Sequence, residues 1–164
     1  MRFANSLKLL AMVVAAACFW PTLTLAWPGK AQRIVDGDTI SVTDSEGIKH
    51  RIRLYGVDCP EKGQPEGEQA LQAAIRFTKG CPLEIQELRR DRNGRVIAVV
   101  VMSDGMTIQE LLLVYGLAWI DERYCHRPEC EAWRLLEQAA RLSKRGIWST
   151  PDPIAPWNWR RGAR

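Results

Sequence analysis

Two short stretches of the chain carry acidic and arginine side chains of the kind that metal-assisted chemistry at phosphorus requires. The first, Asp36–Thr39, reads Asp-Gly-Asp-Thr, and the second, Arg51–Glu61, reads Arg-Ile-Arg-Leu-Tyr-Gly-Val-Asp-Cys-Pro-Glu. Hard cations such as calcium bind carboxylate and carbonyl oxygens. Arginine contacts phosphate oxygens through two parallel N–H groups, which lysine cannot do. These stretches therefore predict a cation site beside a phosphate site.

Each residue of the set has a role that its chemistry suits. Asp38 and Asp58 would hold the cation if the strands that carry them pair. Glu61 lies three residues beyond Asp58, close enough to position a water and accept its proton. Arg53, together with Arg95 at the end of an Asp-Arg-Asn-Gly-Arg turn, would stabilise the charge that develops on the phosphate. The set predicts an in-line displacement at a phosphodiester.

Every member of this set also has a purely structural interpretation. Asp-Gly is common in tight turns, so Asp38 can serve the backbone alone. Arg53 on the polar face of a strand is usually solvated, and Asp58 and Glu61 beside a proline can cap a loop. The order and spacing of the whole set, rather than any single residue, favour a functional site.

The N-terminus is typical of an export signal over residues 1–26. Arg2 and Lys8 form a basic head, Leu9–Trp20 is apolar, and Thr24-Leu-Ala26 is a plausible cleavage site. The apolar run is shorter than the roughly 20 residues of a membrane-spanning helix. The predicted mature domain therefore begins at Trp27 and has no stable membrane span.

A lipoprotein signal is the alternative at the same end of the chain. Ala15-Ala-Ala-Cys18 would be the lipobox, with Cys18 acylated. Alanine three residues before the cysteine weakens this alternative. Both signals place the mature domain outside the cytoplasm, in the periplasm or the extracellular medium.

Length and charge constrain the protein only loosely. A chain of 164 residues predicts one domain with its own core. The formal net charge is +4, and Arg2 and Lys8 of the predicted signal contribute two of these charges. A basic surface is thus a weak argument for nucleic acid, and that argument depends on the site itself.

Four cysteines follow the predicted signal, and an even count outside the cytoplasm favours disulfides. Three pairings are possible. The natural one joins Cys125 to Cys130, which leaves Cys59 for Cys81, with about 2 and about 3.5 kcal/mol of stabilisation. A bridge at Cys59 would make calcium affinity sensitive to reduction. A zinc site at Cys125, His126 and Cys130 is the alternative and lacks a fourth ligand.

Periodicity predicts an α+β domain in which strands precede and surround the helices. Five β-rich runs fit a small barrel. A linker is expected at residues 28–32. Helices are expected at residues 68–78 and 129–144, and a third, short helix is expected to begin at a capping box formed by Thr107 and Glu110. The buried face of the helix at 129–144 is expected to consist of Ala132, Leu135, Leu136 and Ala139. The strands are expected at 33–35, 39–42, 48–54, 83–88 and 96–102, the last two joined at Asn93-Gly94.

The chain resembles the staphylococcal-nuclease-like (thermonuclease) family, and its secreted bacterial members in particular. Asp-Gly-Asp-Thr, Arg-Leu-Tyr-Gly-Val-Asp-Cys-Pro-Glu, Asp-Arg-Asn-Gly-Arg and Leu-Val-Tyr-Gly-Leu-Ala occur in the family's order between about Arg33 and Trp148. The resemblance implies an OB-fold barrel of five strands with three α-helices. It also implies one calcium ion per domain.

By matched position, the resemblance implies that Asp38 and Asp58 are the calcium carboxylates. Cys59 would be a ligand through its main-chain carbonyl, so its side chain need not matter. Glu61 would be the general base or orient the attacking water. Arg53 and Arg95 would hold the scissile phosphate.

The resemblance extends to substrate binding, with two departures. Arg92 would contact a second phosphate, and Tyr124 would stack on a base. Asn93 stands where the best-known members carry a tyrosine near the nucleotide, and Glu122 stands where they carry another aromatic that stacks on the base. Base stacking is worth about 1–3 kcal/mol per base, so these changes should weaken binding more than chemistry.

The implied function is a calcium-dependent, exported endonuclease of DNA and RNA that leaves 3′-phosphates and prefers single strands. We expect a monomer with no protein partner. The alternatives are a non-catalytic nucleic-acid-binding module on the same barrel and a structural calcium-binding domain. The Pro-, Trp- and Arg-rich tail at 151–164 either packs on the domain (27–150) or forms an added strand-binding arm.

Overall fold

The computed structural model describes residues 25–163, so the predicted export signal lies almost wholly outside the described residues. Seven strands and four α-helices make up this part of the chain. The strands are β1 (Leu25–Asp36), β2 (Thr39–Asp44), β3 (Lys49–Leu54), β4 (Val57–Asp58), β5 (Pro82–Arg90), β6 (Val96–Met102) and β7 (Trp119–Ile120). The helices are α1 (Gly67–Thr78), α2 (Ile108–Val114), α3 (Glu129–Leu142) and α4 (Pro156–Trp159), with a 3₁₀ turn at Gly146–Ser149.

Five of the strands close into a barrel in the order β1-β2-β3-β6-β5. All neighbouring pairs are antiparallel except β3 and β6, which run parallel. This is the predicted five-stranded OB-fold barrel of an α+β domain. Because the sheet closes on itself, every barrel strand pairs with a neighbour on both sides along at least part of its length.

Strand β1 is longer than its sequence indicates, and the predicted linker at residues 28–32 is wrong. Trp27 pairs with Ile85 on one side of β1, and Ala31 pairs with Val42 on the other. Two register shifts, between Ala31 and Arg33 and between Ile34 and Asp36, break the alternation that would reveal a strand. The strand forms because both of its edges find partners.

The barrel interior is filled by the inward-facing aliphatic residues of its strands. Ile40, Ile52 and Ile85 are fully buried, one from each of three strands. Helix α2 covers this core with Leu112 and Leu113. The predicted capping box begins that helix, because the Thr107 hydroxyl accepts from the Glu110 N–H and the Glu110 carboxylate accepts from the Thr107 N–H.

Helix α3 turns a different face to the core than the one predicted. Its buried residues are Cys130, Trp133 and Ala140. Of the four predicted residues, Leu136 packs half-buried against the core, whereas Ala132, Leu135 and Ala139 are exposed. The disulfide between Cys125 and Cys130 ties the first turn of the helix to the preceding loop. That tether turns Cys130 inward, and residues three and ten positions later follow it.

The second disulfide prediction is wrong, because Cys59 and Cys81 are both free thiols. A Cβ atom on Gly37 would come within 3 Å of both Cys59 and Ala70, so Cys59 lies against the first half of α1. Cys81 follows the end of that helix, about 12 Å farther along at 1.5 Å per residue. A disulfide needs Cα atoms within about 7 Å. The predicted redox dependence of calcium affinity therefore loses its basis.

The first disulfide prediction is confirmed by a bond between Cys125 and Cys130. Both sulfurs are used in it, so the zinc alternative with His126 is excluded. His126 is an exposed loop residue whose ring contacts the Arg123 carbonyl.

A second, smaller apolar cluster lies under the C-terminal tail. Trp119 and Trp148 stack edge to face, with ring centroids 5.1 Å apart. Ala155 is buried in this cluster, and Trp157 packs against it. The tail thus lies on the domain, and its helix α4 adds to the three helices that were predicted. In residues 25–163, none of the helices has the length and apolar character needed to cross a bilayer.

Candidate active site

The barrel topology brings the candidate residues to one end of β3. Arg53 on that strand pairs with Thr39 on one side and with Ile97 on the other. Asp38 precedes Thr39, and its carbonyl accepts the Leu54 N–H at 2.9 Å. Arg95 precedes β6, two residues before Ile97. Strand pairing alone therefore places Asp38, Arg53 and Arg95 around one site.

Asp58 reaches the same place from the short strand β4, which pairs with β7 outside the barrel. The next residue, Cys59, donates its N–H to Oδ2 of Asp38 at 2.8 Å. This hydrogen bond joins the two segments that carry the acidic residues. Burial raises the pKa of the Cys59 thiol far above its usual range, so the side chain behaves as a small apolar group.

Arg53 bridges the two aspartates. Its Nη1 contacts Oδ1 of Asp38, and its Nη2 lies 2.7 Å from Oδ1 of Asp58. The two carboxylates are only 4% and 1% exposed. Buried charges are costly unless they are paired, and the guanidinium supplies that pairing with two of its five N–H donors.

The same two carboxylates fit a hard cation. Their oxygens converge on one guanidinium, and oxygen ligands are those that calcium prefers. Within residues 25–163, no three His, Cys, Asp or Glu side chains cluster closely enough to form a complete site. The remaining ligands would thus be backbone carbonyls and water, which calcium accepts at flexible geometry.

Glu61 is held at the rim of this site by a tight loop. Its N–H donates to Oε1 of Gln64 at 3.0 Å, and its carbonyl accepts the Gln64 N–H at 2.9 Å. The loop passes so close to α1 that a Cβ on Gly67 would lie 2.2 Å from the Glu61 carbonyl oxygen. Only glycine fits at this position. The close approach of the two backbone segments therefore fixes the position of the Glu61 backbone, from which its side chain extends.

The Glu61 carboxylate contacts Arg160 from the C-terminal tail. The same guanidinium reaches Asp58, with Nη2 2.7 Å from Oδ2 and Nη1 3.3 Å from Oδ1. Hydrogen bonding to Asp58, followed by that to Glu61, raises the pKa of Arg160. The tail therefore supplies a second arginine to the acidic residues of the site.

Arg95 is oriented by Asp91 across its turn. Oδ2 of Asp91 accepts from Nε of Arg95 at 2.8 Å, and Oδ1 accepts the N–H groups of Asn93 and Arg95, each at 2.9 Å. Desolvation acts to raise the pKa of Asp91. The hydrogen bonds from Arg95 and Asn93 outweigh it and hold this pKa below its ordinary value of 3.8.

Asp38, Arg53, Glu61, Arg95 and Arg160 line one open cleft of about 810 Å³, and Asp58 is connected to it through its ion pairs with Arg53 and Arg160. Asp38, Glu61 and Arg53 line one part of it, and the hairpin between β5 and β6 forms a basic wall. Tyr124 stands at the mouth, 53% exposed, with the Arg123 guanidinium 5.5 Å from its ring centroid. Arginines on the basic wall are Arg89, Arg90, Arg92 and Arg95.

The sequence of the cleft identifies the family. Residues 51–150, which include Arg53, Asp58, Glu61, Arg95 and Tyr124, match the family described as staphylococcal nuclease homologue. The chain belongs to the staphylococcal nuclease family. The predicted family and the predicted barrel fold are thereby confirmed.

Curated relatives in this nuclease family align over most of the chain. A protein of Escherichia coli named "Uncharacterized endonuclease" is 38% identical over 141 residues, covering 86% of this chain and 90% of the relative. "Protein ParB" of Escherichia coli is 34% identical over 161 residues, covering 93% and 87%. "Probable staphylococcal-like nuclease CAN1" of Oryza sativa subsp. japonica is 37% identical over 116 residues, covering 71% of this chain and 34% of that protein.

The structure of this nuclease-family domain brings together every predicted catalytic and metal residue. Asp38, Arg53 and Asp58 are in direct contact, and Glu61 adjoins Asp58 through Arg160. Arg95 faces the same cleft, as do the predicted substrate residues Arg92 and Tyr124. Their catalytic and binding roles remain our predictions.

Several cleft residues were missed from the sequence, among them Arg89, Arg90, Asp121, Arg123 and Arg160. Arg160 lies in a Trp-Asn-Trp-Arg-Arg run that indicated only a tail, and nothing local in that run points to the acidic residues. Asp121 and Arg123 form an ion pair at 2.8 Å on the loop after β7. Glu122, between them, turns away and pairs with Arg134 at 2.6 Å, so it does not substitute for a stacking aromatic.

Asp91→Asn is expected to lower kcat/KM for nucleic-acid cleavage about tenfold, because a small displacement of a charge-stabilising group is costly. The asparagine carbonyl oxygen can still accept the backbone N–H groups of the turn. Its amide cannot accept from Nε of Arg95, so the fold persists while the arginine is released. Steady-state kinetics with a matched Asp104→Asn control would check this, since within residues 25–163 Oδ1 of Asp104 accepts only the Met106 N–H, in another turn. Equal losses in both variants would contradict a positioning role for Asp91.

The same variant is expected to change the acid stability of the protein. The folded-state pKa of Asp91 is below 3.8, so its charge stabilises the fold above that pH. This contribution is lost as the pH falls through the folded-state pKa. The Tm difference between wild type and Asp91→Asn should therefore shrink as the pH is lowered below 3.8. A Tm difference that increases on acidification would show that the charge of Asp91 does not stabilise the fold.

Proposed function

We propose that this protein is an exported, calcium-dependent endonuclease that cleaves DNA and RNA, prefers single strands and leaves 3′-phosphates. Membership of a nuclease family supports the reaction class, hydrolysis of phosphodiester bonds. The observation that carries the proposal is the pair of buried carboxylates bridged by Arg53, with Glu61 and Arg95 facing the same cleft. Neither a binding module nor a structural calcium domain requires all of these groups together.

Asp38 and Asp58 are the residues that would hold calcium. When bound, the ion supplies positive charge next to the scissile phosphate. A backbone carbonyl at Cys59 is our proposal for a further ligand. The Cys59 N–H already donates to Asp38, which keeps the peptide against the site.

Glu61 is the proposed general base. Its carboxylate accepts a proton from a water, whose oxygen forms a bond to phosphorus. The bond from phosphorus to the 5′ oxygen breaks, and that oxygen takes a proton from solvent water and leaves as the 5′-hydroxyl. The phosphate remains on the 3′ side of the cut.

Arg53 and Arg95 stabilise the charge on the phosphate oxygens during this displacement. Arg53 lies on β3 and Arg95 at the end of the turn before β6, which allows them to approach the phosphate from two sides. Arg92 and the other arginines of the basic wall would hold the neighbouring phosphates, and Tyr124 would stack on a base. An open cleft with one basic wall suits a single strand better than a duplex.

Export follows from the predicted signal at residues 1–26, with periplasmic or extracellular localisation. The Cys125–Cys130 disulfide supports an oxidising compartment. Cleavage after Ala26 would remove two residues of β1, Leu25 and Ala26, and leave the pairing from Trp27 onwards. N-terminal sequencing of the exported protein should therefore begin at Trp27, whereas an acylated Cys18 would show the lipoprotein alternative.

Nuclease assays with the mature protein test the proposal. Single-stranded DNA, the matching duplex and an RNA of the same sequence would be incubated in calcium and in excess chelator. We expect cleavage only in calcium, fastest on the single strand, with 3′-phosphate ends identified by mass spectrometry. A folded protein that binds the single strand and cleaves nothing in calcium would instead support the binding module.

A further inference from the structure

The C-terminal tail places a guanidinium directly on the acidic residues of the active site. Arg160 contacts both oxygens of Asp58 and one oxygen of Glu61. Asp58 is the proposed calcium ligand and Glu61 the proposed base. One side chain from the tail therefore occupies oxygens that both the cation and the attacking water need.

The tail is anchored so that this contact is built into the fold. Ala155 of the tail is buried in the second apolar cluster, and Trp157 packs against that cluster, with the Arg123 guanidinium 5.6 Å from its ring centroid. The buried side chain of Gln64 donates to the Ile154 carbonyl and accepts the Glu61 N–H. The same glutamine thus connects the tail to the loop that carries the base.

Arg160 lies outside the part of the chain that matches the family, whereas Asp58 and Glu61 lie within it. The family match ends at residue 150, and Arg160 follows ten residues later. Its side chain is still 44% exposed, whereas that of Asp58 is 1% exposed. The guanidinium can therefore leave toward solvent, while the carboxylate stays in place.

The local charges favour an exchange of Arg160 for a divalent cation. Asp38, Asp58 and Glu61 face two guanidiniums, so the group keeps one net negative charge. Replacing the singly charged Arg160 by a doubly charged ion neutralises it. An ion at buried oxygens also interacts more strongly than a half-exposed side chain, because the screening there is weaker.

From these contacts we infer that the tail is an intramolecular inhibitor: Arg160 competes with the divalent cation for Asp58 and shields Glu61 until the cation displaces it. This inference rests on the proposed function, since it assigns the cation to Asp58. Calcium then has two effects. It completes the site, and it releases the base from its ion pair with the tail.

Calorimetric calcium titration of the mature protein tests the inference without relying on activity. Arg160→Gln removes the competing charge, and Arg161→Gln removes an equal charge from the neighbouring exposed position. We expect Arg160→Gln to lower the Kd for calcium about tenfold, or about 1.4 kcal/mol. Arg161→Gln should remain near the wild-type Kd. Thermal unfolding in chelator would check that both variants are folded, with a lower Tm for Arg160→Gln that calcium restores.

Other outcomes would overturn the inference. A Kd that does not change in Arg160→Gln shows that the arginine does not compete, and a higher Kd shows that it supports the ion site instead. If Arg160→Gln and Arg161→Gln raise the affinity for calcium equally, the gain comes from the loss of one positive charge near the site and not from the loss of a competing contact. If the wild type binds calcium and cleaves DNA while Arg160→Gln behaves identically, only this inference fails. If neither variant nor wild type binds calcium or cleaves DNA, the proposed function fails with it.

Discussion

Arg53→Ala is expected to lower kcat/KM for calcium-dependent DNA cleavage by about 10³-fold. The guanidinium is the only group in the described part of the chain that contacts both buried aspartates. It also faces the cleft where the phosphate would lie. Arg53→Lys keeps the charge but loses the two-pronged geometry, so it should recover little of the activity.

Two controls separate catalysis by Arg53 from its effect on stability. Arg51→Ala changes an exposed arginine two positions earlier on the same strand and should leave kcat/KM close to the wild-type value. Arg53→Ala leaves Asp38 and Asp58 less well paired, so its Tm in chelator should fall, and calcium should stabilise it more than the wild type. Activity within tenfold of wild type in saturating calcium would remove Arg53 from the mechanism.

Glu61→Gln is expected to reduce kcat by about 10³-fold and to leave the KM for DNA nearly unchanged. Glutamine is almost isosteric with glutamate but does not accept a proton from water. The backbone contacts that hold the loop, from the Glu61 N–H to Gln64 and from the Gln64 N–H to the Glu61 carbonyl, do not involve the changed side chain. Folding and substrate binding should therefore be retained while the chemical step is lost.

Single-turnover cleavage, together with DNA binding by fluorescence anisotropy, would measure the two effects of Glu61→Gln separately. Glu68→Gln is the matched control, because Glu68 is an exposed residue on α1 whose carboxylate accepts from Gln72. If Glu61→Gln cleaves about as fast as Glu68→Gln, the base must be another group. If its DNA affinity falls instead, Glu61 acts in binding.

Much of the fold could be predicted from local patterns, because local physics decides those elements. Thr107 and Glu110 satisfy each other's backbone donors whatever surrounds them, so the start of α2 was correct. The Asn93-Gly94 turn between β5 and β6 was correct for the same reason, since Gly94 has a φ of 74°. The motifs around Asp38 and Arg53 also identified the residues that meet in the cleft.

The elements that were wrong depend on distant partners. Strand β1 through Pro28 has an irregular pattern and exists because β2 and β5 both pair with it. The buried face of α3 follows from the Cys125–Cys130 tether rather than from the position of Leu135. A disulfide between Cys59 and Cys81 agrees with the even number of cysteines, but helix α1 lies between the two residues and is too long for them to meet.

The sequence by itself predicted the family, the barrel and the candidate site residues, because the order and spacing of short motifs can be read without knowing how the chain folds. Only the tertiary structure decided that Arg160 contacts Asp58 and Glu61. These residues are separated by 102 and 99 positions. No periodicity in the sequence connects them. Their contact exists because Ala155 and Trp157 bury apolar surface on the domain, which places Arg160 of the tail in the cleft.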